Sequence, residues 1–135
     1  MPLNVAIFED DIDIADLLKE MMGSPECKVS VYYNFKDNSW VESDVVLGDF
    51  RNHLIPFQDL KQECLKNDIP LIAISGADTT HTPQLLKPFS AEDLQIIIQK
   101  TVIEYRKDKM NKASDKNQKE ELKESSVVSI LKKGS

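Results

Sequence analysis

Val5-Ala6-Ile7-Phe8-Glu9-Asp10-Asp11 runs four apolar residues straight into three carboxylates. A short apolar run with no polar residue alternating through it suits a strand covered on both faces. With Leu3 and Asn4 in front, it predicts a first buried strand that ends in acid. The arrangement recurs along the chain. Val45-Val46-Leu47 leads into Gly48-Asp49, and Leu71-Ile72-Ala73-Ile74, introduced by Pro70, leads into Ser75-Gly76. Leu85-Leu86, a very short strand, leads into Lys87-Pro88-Phe89. Val29, Val31 and Tyr33 alternate as a further strand.

Helical patterns separate these runs. Ile14, Leu17, Leu18 and Met21 follow i, i+3, i+4, i+7, with Gly23 as the stop. Phe57, Leu60, Cys64 and Leu65 predict a helix after Pro56. Ser90 opens another, with Asp93 as its capping-box partner and Leu94, Ile97, Ile98, Val102 and Tyr105 as its apolar face. Strands alternating with helices predict a parallel sheet with both faces covered. In such sheets, sites lie beyond the carboxyl ends of the strands. The residues expected to converge are therefore Glu9, Asp10, Asp49, Ser75 and Lys87.

Two crossovers are too short for a full helix. Eleven residues separate Ser75 from Lys87, where a helix, two loops and a strand need about 20. Residues 77–83 also lack an apolar face and read as a loop or at most one turn. Residues 34–43 leave room for one or two turns around Asp37 to Val41. Part of one sheet face near the fourth and fifth strands is then expected to lie open as an association surface, for a second copy or another partner. The competing expectation is that the last helix and loop side chains close the gap. The apolar cluster Val127-Val128-Ser129-Ile130-Leu131 is a further candidate cover.

Composition narrows the classes. The chain has 135 residues and a net charge of −6. Residues 1–106 hold nine basic and eighteen acidic side chains, and residues 107–135 hold eight basic and five acidic ones. An acidic body argues against a nucleic-acid surface. No apolar stretch reaches the length of a membrane span. Cys27 and Cys64 form neither a metal-ligand spacing nor a disulfide framework, and a cytoplasmic location is expected. His53 and His81 lack a partner at metal spacing and read as surface residues. Trp40, Tyr32 and Tyr33 read as packing residues. From Lys107 the apolar period dissolves, which predicts a fraying helix end and a charged, flexible tail.

The strand-end chemistry is specific. Crowded carboxylates repel and stay partly protonated unless a counter-ion joins them. Mg²⁺ suits such a cluster, because it binds through a few carboxylates and completes its shell with water and phosphate oxygens. One carboxylate can then attack phosphorus, and the charge on the phosphoryl oxygens is met by an ammonium and a hydroxyl. The segments Val5 to Asp11, Asp44 to Asp49, Pro70 to Gly76 and Leu86-Lys87-Pro88-Phe89 resemble, in that order, the four signature segments of response-regulator receiver domains of the CheY-like superfamily. The resemblance covers residues 2–106 and implies a flavodoxin-like α/β fold. Its five-stranded, doubly wound parallel sheet has strand order 2-1-3-4-5, here with the fourth helix reduced or absent.

By that resemblance the chain is a receiver domain over residues 1–106 with a tail over 107–135. Asp49 is the phosphoacceptor, Asp10 a direct Mg²⁺ ligand, Glu9 a ligand acting mainly through water, and the Arg51 carbonyl a further ligand. Ser75 follows the phosphoryl group and Lys87 pairs with it, ahead of a cis-proline at Pro88. The implied function is a single-domain response regulator, a phosphoacceptor rather than an enzyme. It would be served by a histidine kinase or phosphotransfer protein and signal to a downstream protein, with a homodimer as one outcome and no nucleic acid or membrane partner. The alternative is a receiver-like interaction module that works without phosphate. A phosphohydrolase would need a second Asp where Arg51 stands. The chain departs from the family's pattern at Glu9, which replaces the commoner Asp, at Phe50-Arg51-Asn52-His53, which lacks the usual Pro and Gly, and at Gln84, where an aromatic residue is usual.

Overall fold

In a computed structural model, residues 3–23 and 25–125 are described. Strand β1 (Leu3–Phe8) is followed by α1 (Ile12–Met21), β2 (Cys27–Tyr32), a 3-10 turn (Asn38–Glu42), β3 (Val45–Asp49) and α2 (Phe57–Lys66). Then come β4 (Leu71–Ser75), β5 (Gln84–Leu86) and α3 (Ala91–Ser125). All strand pairs are parallel and the order is β2-β1-β3-β4-β5. This is the flavodoxin-like order expected from the sequence, with three helices.

Alternation along each strand splits the core into two layers. Ala6 and Phe8, with Val46, Leu71 and Ala73, face Trp40, Phe57, Leu60 and Cys64. Val5 and Ile7, with Val45, Leu47, Ile72 and Ile74, face Leu18, Met22, Leu94, Ile98 and Val102. Burying each such large aliphatic side chain contributes roughly 1.5–3 kcal/mol.

The helix caps follow the chemistry of their residues. Asp11 caps α1 by accepting from the N–H groups of Asp13 and Ile14. At α3 the Ser90 hydroxyl accepts from Asp93 N–H while the Asp93 carboxylate accepts from Ser90 N–H, a reciprocal capping box. Gly23 lies past the end of α1 but not in a left-handed conformation; among the described residues the positive φ falls at Asp68, at 59°.

Several residue assignments differ from the sequence pattern. The buried stripe of α1 is Ala15, Leu18 and Met22, while Leu17 is half-exposed. Leu65 is exposed, so α2 packs through Phe57, Leu60 and Cys64. Tyr33 lies just beyond β2 and is part-exposed, whereas Tyr32 is buried. In each case a neighbouring residue already fills the core position. Helix α3 does not end near Arg106 but continues to Ser125. Lys, Glu, Gln, Ala and Leu supply helix propensity there, and neither Pro nor Gly interrupts residues 91–125. The chain divides into two compact units after Val102. The cluster Val127 to Leu131 lies outside the described residues.

The two short crossovers are filled by aromatic side chains and loop hydrogen bonds. In the first, Trp40 on the 3-10 turn meets Phe8 edge-on, at 5.5 Å and 87° between rings, and Tyr32 OH hydrogen-bonds the Ser39 hydroxyl at 2.9 Å. In the second, residues 76–83 form no helix, as expected. All five residues of β4 are nonetheless buried. His81 closes the gap, so it is not the simple surface residue that the sequence suggested. Its Nε2–H donates to the Leu71 carbonyl at 2.7 Å, and its ring meets Phe57 edge-on at 5.1 Å. Gln84 holds the same loop, accepting from Thr79 N–H and Oγ1 at 2.9 and 2.8 Å and donating to Asp78 at 2.6 Å. The open apolar face over β4 is therefore not formed, although Leu86 on β5 stays part-exposed.

His81→Ala leaves a strand carbonyl unpaired and an aromatic contact missing. It should destabilise the protein by about 1–3 kcal/mol, read as a lower urea midpoint with unchanged slope.

Candidate functional site

The register of the sheet decides which residues meet. Phe8 pairs with Gly48, Asp49 with Ile74, and Ser75 with Leu86. The residues that leave these strands consequently emerge along one edge. Lys87 is tied in directly, its N–H donating to the Ser75 carbonyl at 2.8 Å. A cavity of about 430 Å³ opens there, lined by Asp10, Asp11, Ile14, Asp49, Arg51, His53, Ser75, Gly76, Ala77 and Lys87.

Glu9, Asp10 and Asp49 each bring one carboxylate oxygen within 4.8 Å of the others. Glu9 is the buried member, 1 % exposed. Its Oε2 accepts from Asp10 N–H at 2.9 Å. Burial pushes its carboxyl up to about 8, with hydrogen bonding to and repulsion by Asp49 adding to the rise. Asp10 moves the other way. Desolvation raises it, but the His53 N–H on its Oδ2 at 3.2 Å and a hydrogen bond with Glu9 outweigh that and hold it below the ordinary carboxylate range. Asp49 accepts from Arg51 N–H through Oδ1 at 3.3 Å. Ser75 is buried, and its hydroxyl oxygen accepts from Ala77 N–H at 3.2 Å. The Lys87–Pro88 peptide is cis, as is Thr82–Pro83.

The donor set is hard oxygen and nothing else, two carboxylates at the cavity wall and one buried beside them. That chemistry fits Mg²⁺. Burial and the neighbouring Asp49 favour the neutral form of Glu9, and a cation beside it would oppose that shift.

Five residues singled out by sequence therefore come together: Glu9, Asp10, Asp49, Ser75 and Lys87. Arg51 stands at the cavity rim, exposed, with its N–H on Asp49. Asp11, the third acid of the run, is the helix cap. His53 was missed as a contributor. No side-chain signal could have found it, because the contact is made by its backbone N–H. Asn52 was missed too; its side-chain oxygen organises that loop by accepting from Leu54 and Ile55 N–H at 2.8 and 3.0 Å.

No protein-family model matches the chain, and no curated protein matches it. Solved structures do. The chemotaxis response regulator CheY4 of Vibrio cholerae superposes with a TM-score of 0.64 at 16% identity, over 75% of this chain and 99% of that one. A CheY-like receiver domain from Methanospirillum hungatei gives 0.66 at 18%, over 80% and 99%. The receiver domain of a sensor histidine kinase from Pseudomonas aeruginosa, solved with a magnesium ion in its active-site cleft, gives 0.66 at 18%, over 76% and 98%. The chain has the receiver-domain fold. Here that fold keeps all five strands, with a 3-10 turn in the β2–β3 crossover and a loop in the β4–β5 crossover, and its acidic cluster occupies the carboxyl edge of the sheet. Among the described residues no helix is long and apolar enough to cross a membrane.

The raised Glu9 carboxyl has a definite pH signature. The unfolded chain gives up this proton near the ordinary carboxylate value of 4.5 and the folded one near 8. The metal-free protein should therefore lose stability as pH rises across that window. Thermal melts of wild type and Glu9→Gln should diverge from about pH 5 upward, the wild type falling relative to the variant. Saturating Mg²⁺ should reduce the divergence, because binding a cation displaces the proton.

Proposed function

We propose that this chain is a single-domain response regulator that accepts a phosphoryl group on Asp49. The observation that carries the reading is the shared cavity, where Asp49, Asp10, Ser75 and Lys87 line one wall-to-wall pocket at the end of the sheet. Asp10, Asp49 and the Arg51 carbonyl would hold Mg²⁺, with Glu9 acting through water. When bound, the ion supplies positive charge to the phosphoryl oxygens and offsets the crowded carboxylates. An Asp49 oxygen attacks phosphorus of a phosphohistidine on a histidine kinase or phosphotransfer protein. The O–P bond forms as the N–P bond breaks, and the departing imidazole takes up a proton. The Lys87 ammonium pairs with the incoming phosphoryl oxygens, and the Ser75 hydroxyl donates to one of them. The chain works as a phosphoacceptor whose output is contact with a downstream protein, and it acts on no further substrate.

A second reading has its own observation. Gln84 stands where the fold's relatives usually carry an aromatic switch, and it is locked to Thr79 and Asp78 by three hydrogen bonds. A receiver-like module that docks partners without phosphate would tolerate such a lock.

Acetyl phosphate with Mg²⁺ should add one phosphoryl group to the wild type by intact-mass analysis. Asp49→Asn should fold and take up none. Equal labelling of the two proteins would contradict the assignment, and no labelling of either would favour the second reading.

A further inference from the structure

The three clustered carboxylates share a pattern. Each is tied through one oxygen to a backbone N–H: Glu9 Oε2 to Asp10, Asp49 Oδ1 to Arg51, and Asp10 Oδ2 to His53. The first two ties are local, one and two residues along the chain. The third spans 43 residues and joins the β1–α1 loop to the β3–α2 loop.

We propose that the backbone N–H of His53 is a positioning donor for Asp10, fixing that carboxylate so that its other oxygen faces the cation. The role rests on the reading of Asp10 as a Mg²⁺ ligand. Asp10 is half-buried at the cavity wall, where an unrestrained carboxylate samples several rotamers and would be ordered only when metal arrives. A fixed donor on Oδ2 removes that freedom beforehand. The donor is itself held. Asn52 Oδ1 accepts from Leu54 and Ile55 N–H, and Ile55 is buried in the core, so the loop cannot swing the His53 amide away cheaply. The imidazole is exposed and the amide makes the bond, so the requirement is for an N–H. Any residue except proline supplies one.

The test compares His53→Ala with His53→Pro in Mg²⁺ titrations of the full chain. The alanine variant keeps the amide proton and should bind Mg²⁺ about tenfold or more tightly than the proline variant, the range for loss of a ligand's orienting partner. NMR gives a second measurement should proline disturb the loop. The wild-type His53 amide should be protected from exchange, and Asp10→Ala should remove that protection. Equal Mg²⁺ affinity of the alanine and proline variants, in a wild type that binds, overturns the positioning role and leaves the proposed function standing. An unprotected His53 amide does the same. A wild type that binds no Mg²⁺ overturns both.

Discussion

Three carboxylates held within 4.8 Å of one another repel, and the rest of the site is arranged around that repulsion. A parallel sheet creates it. Strands β1 and β3 are adjacent and in register, so the acids that follow Phe8 and Gly48 leave the sheet side by side. Neither residue can retreat, because one lies against the core and the other continues the strand. Backbone N–H groups sit on one oxygen of each acid, burial favours the neutral form of Glu9, and Lys87 lines the same cavity. None of these fully neutralises the cluster, which is why an oxygen-seeking divalent cation and a phosphoryl group suit it together.

The remainder of the structure shows how little is needed to keep that edge in place. Two crossovers have lost the length for a helix, yet all of β4 stays buried. Trp40 and Phe35 fill one gap, both packed on Phe8. His81 fills the other by combining a hydrogen bond to a β4 carbonyl with an edge contact to Phe57. Aromatic side chains can do this because each brings a large contact area at the cost of fixing two rotatable bonds. The exchange alters one property of the fold. In place of a crossover helix, this chain has a loop cross-tied through Gln84 and Thr79.

Much of this was legible in the sequence because buried parallel strands read as unbroken apolar runs. The end of such a run marks the sheet edge, and the residue type at each end then names the chemistry. Counting residues between Ser75 and Lys87 was enough to remove a helix. Side-chain partnerships across the fold were less legible. Nothing local distinguishes His81 from a surface histidine, since its partners Leu71 and Phe57 are distant in sequence. The contribution of His53 is made by its amide, which every residue but proline shares. Leu17 and Leu65 fit a helical period but sit one position away from the buried stripe, an offset that only tertiary packing decides. Helix α3 outran its apolar pattern because propensity alone, without a Pro or Gly, carries it to Ser125.

The most direct measurement is a structure of the chain with Mg²⁺ and beryllofluoride, which mimics a phosphoryl group on a carboxylate. The account predicts the adduct on an Asp49 oxygen, Lys87 and Ser75 on its fluorides, and Mg²⁺ bound by Asp10 and Asp49. An adduct on Glu9 or Asp10, or an empty cavity under saturating ligand, would contradict it.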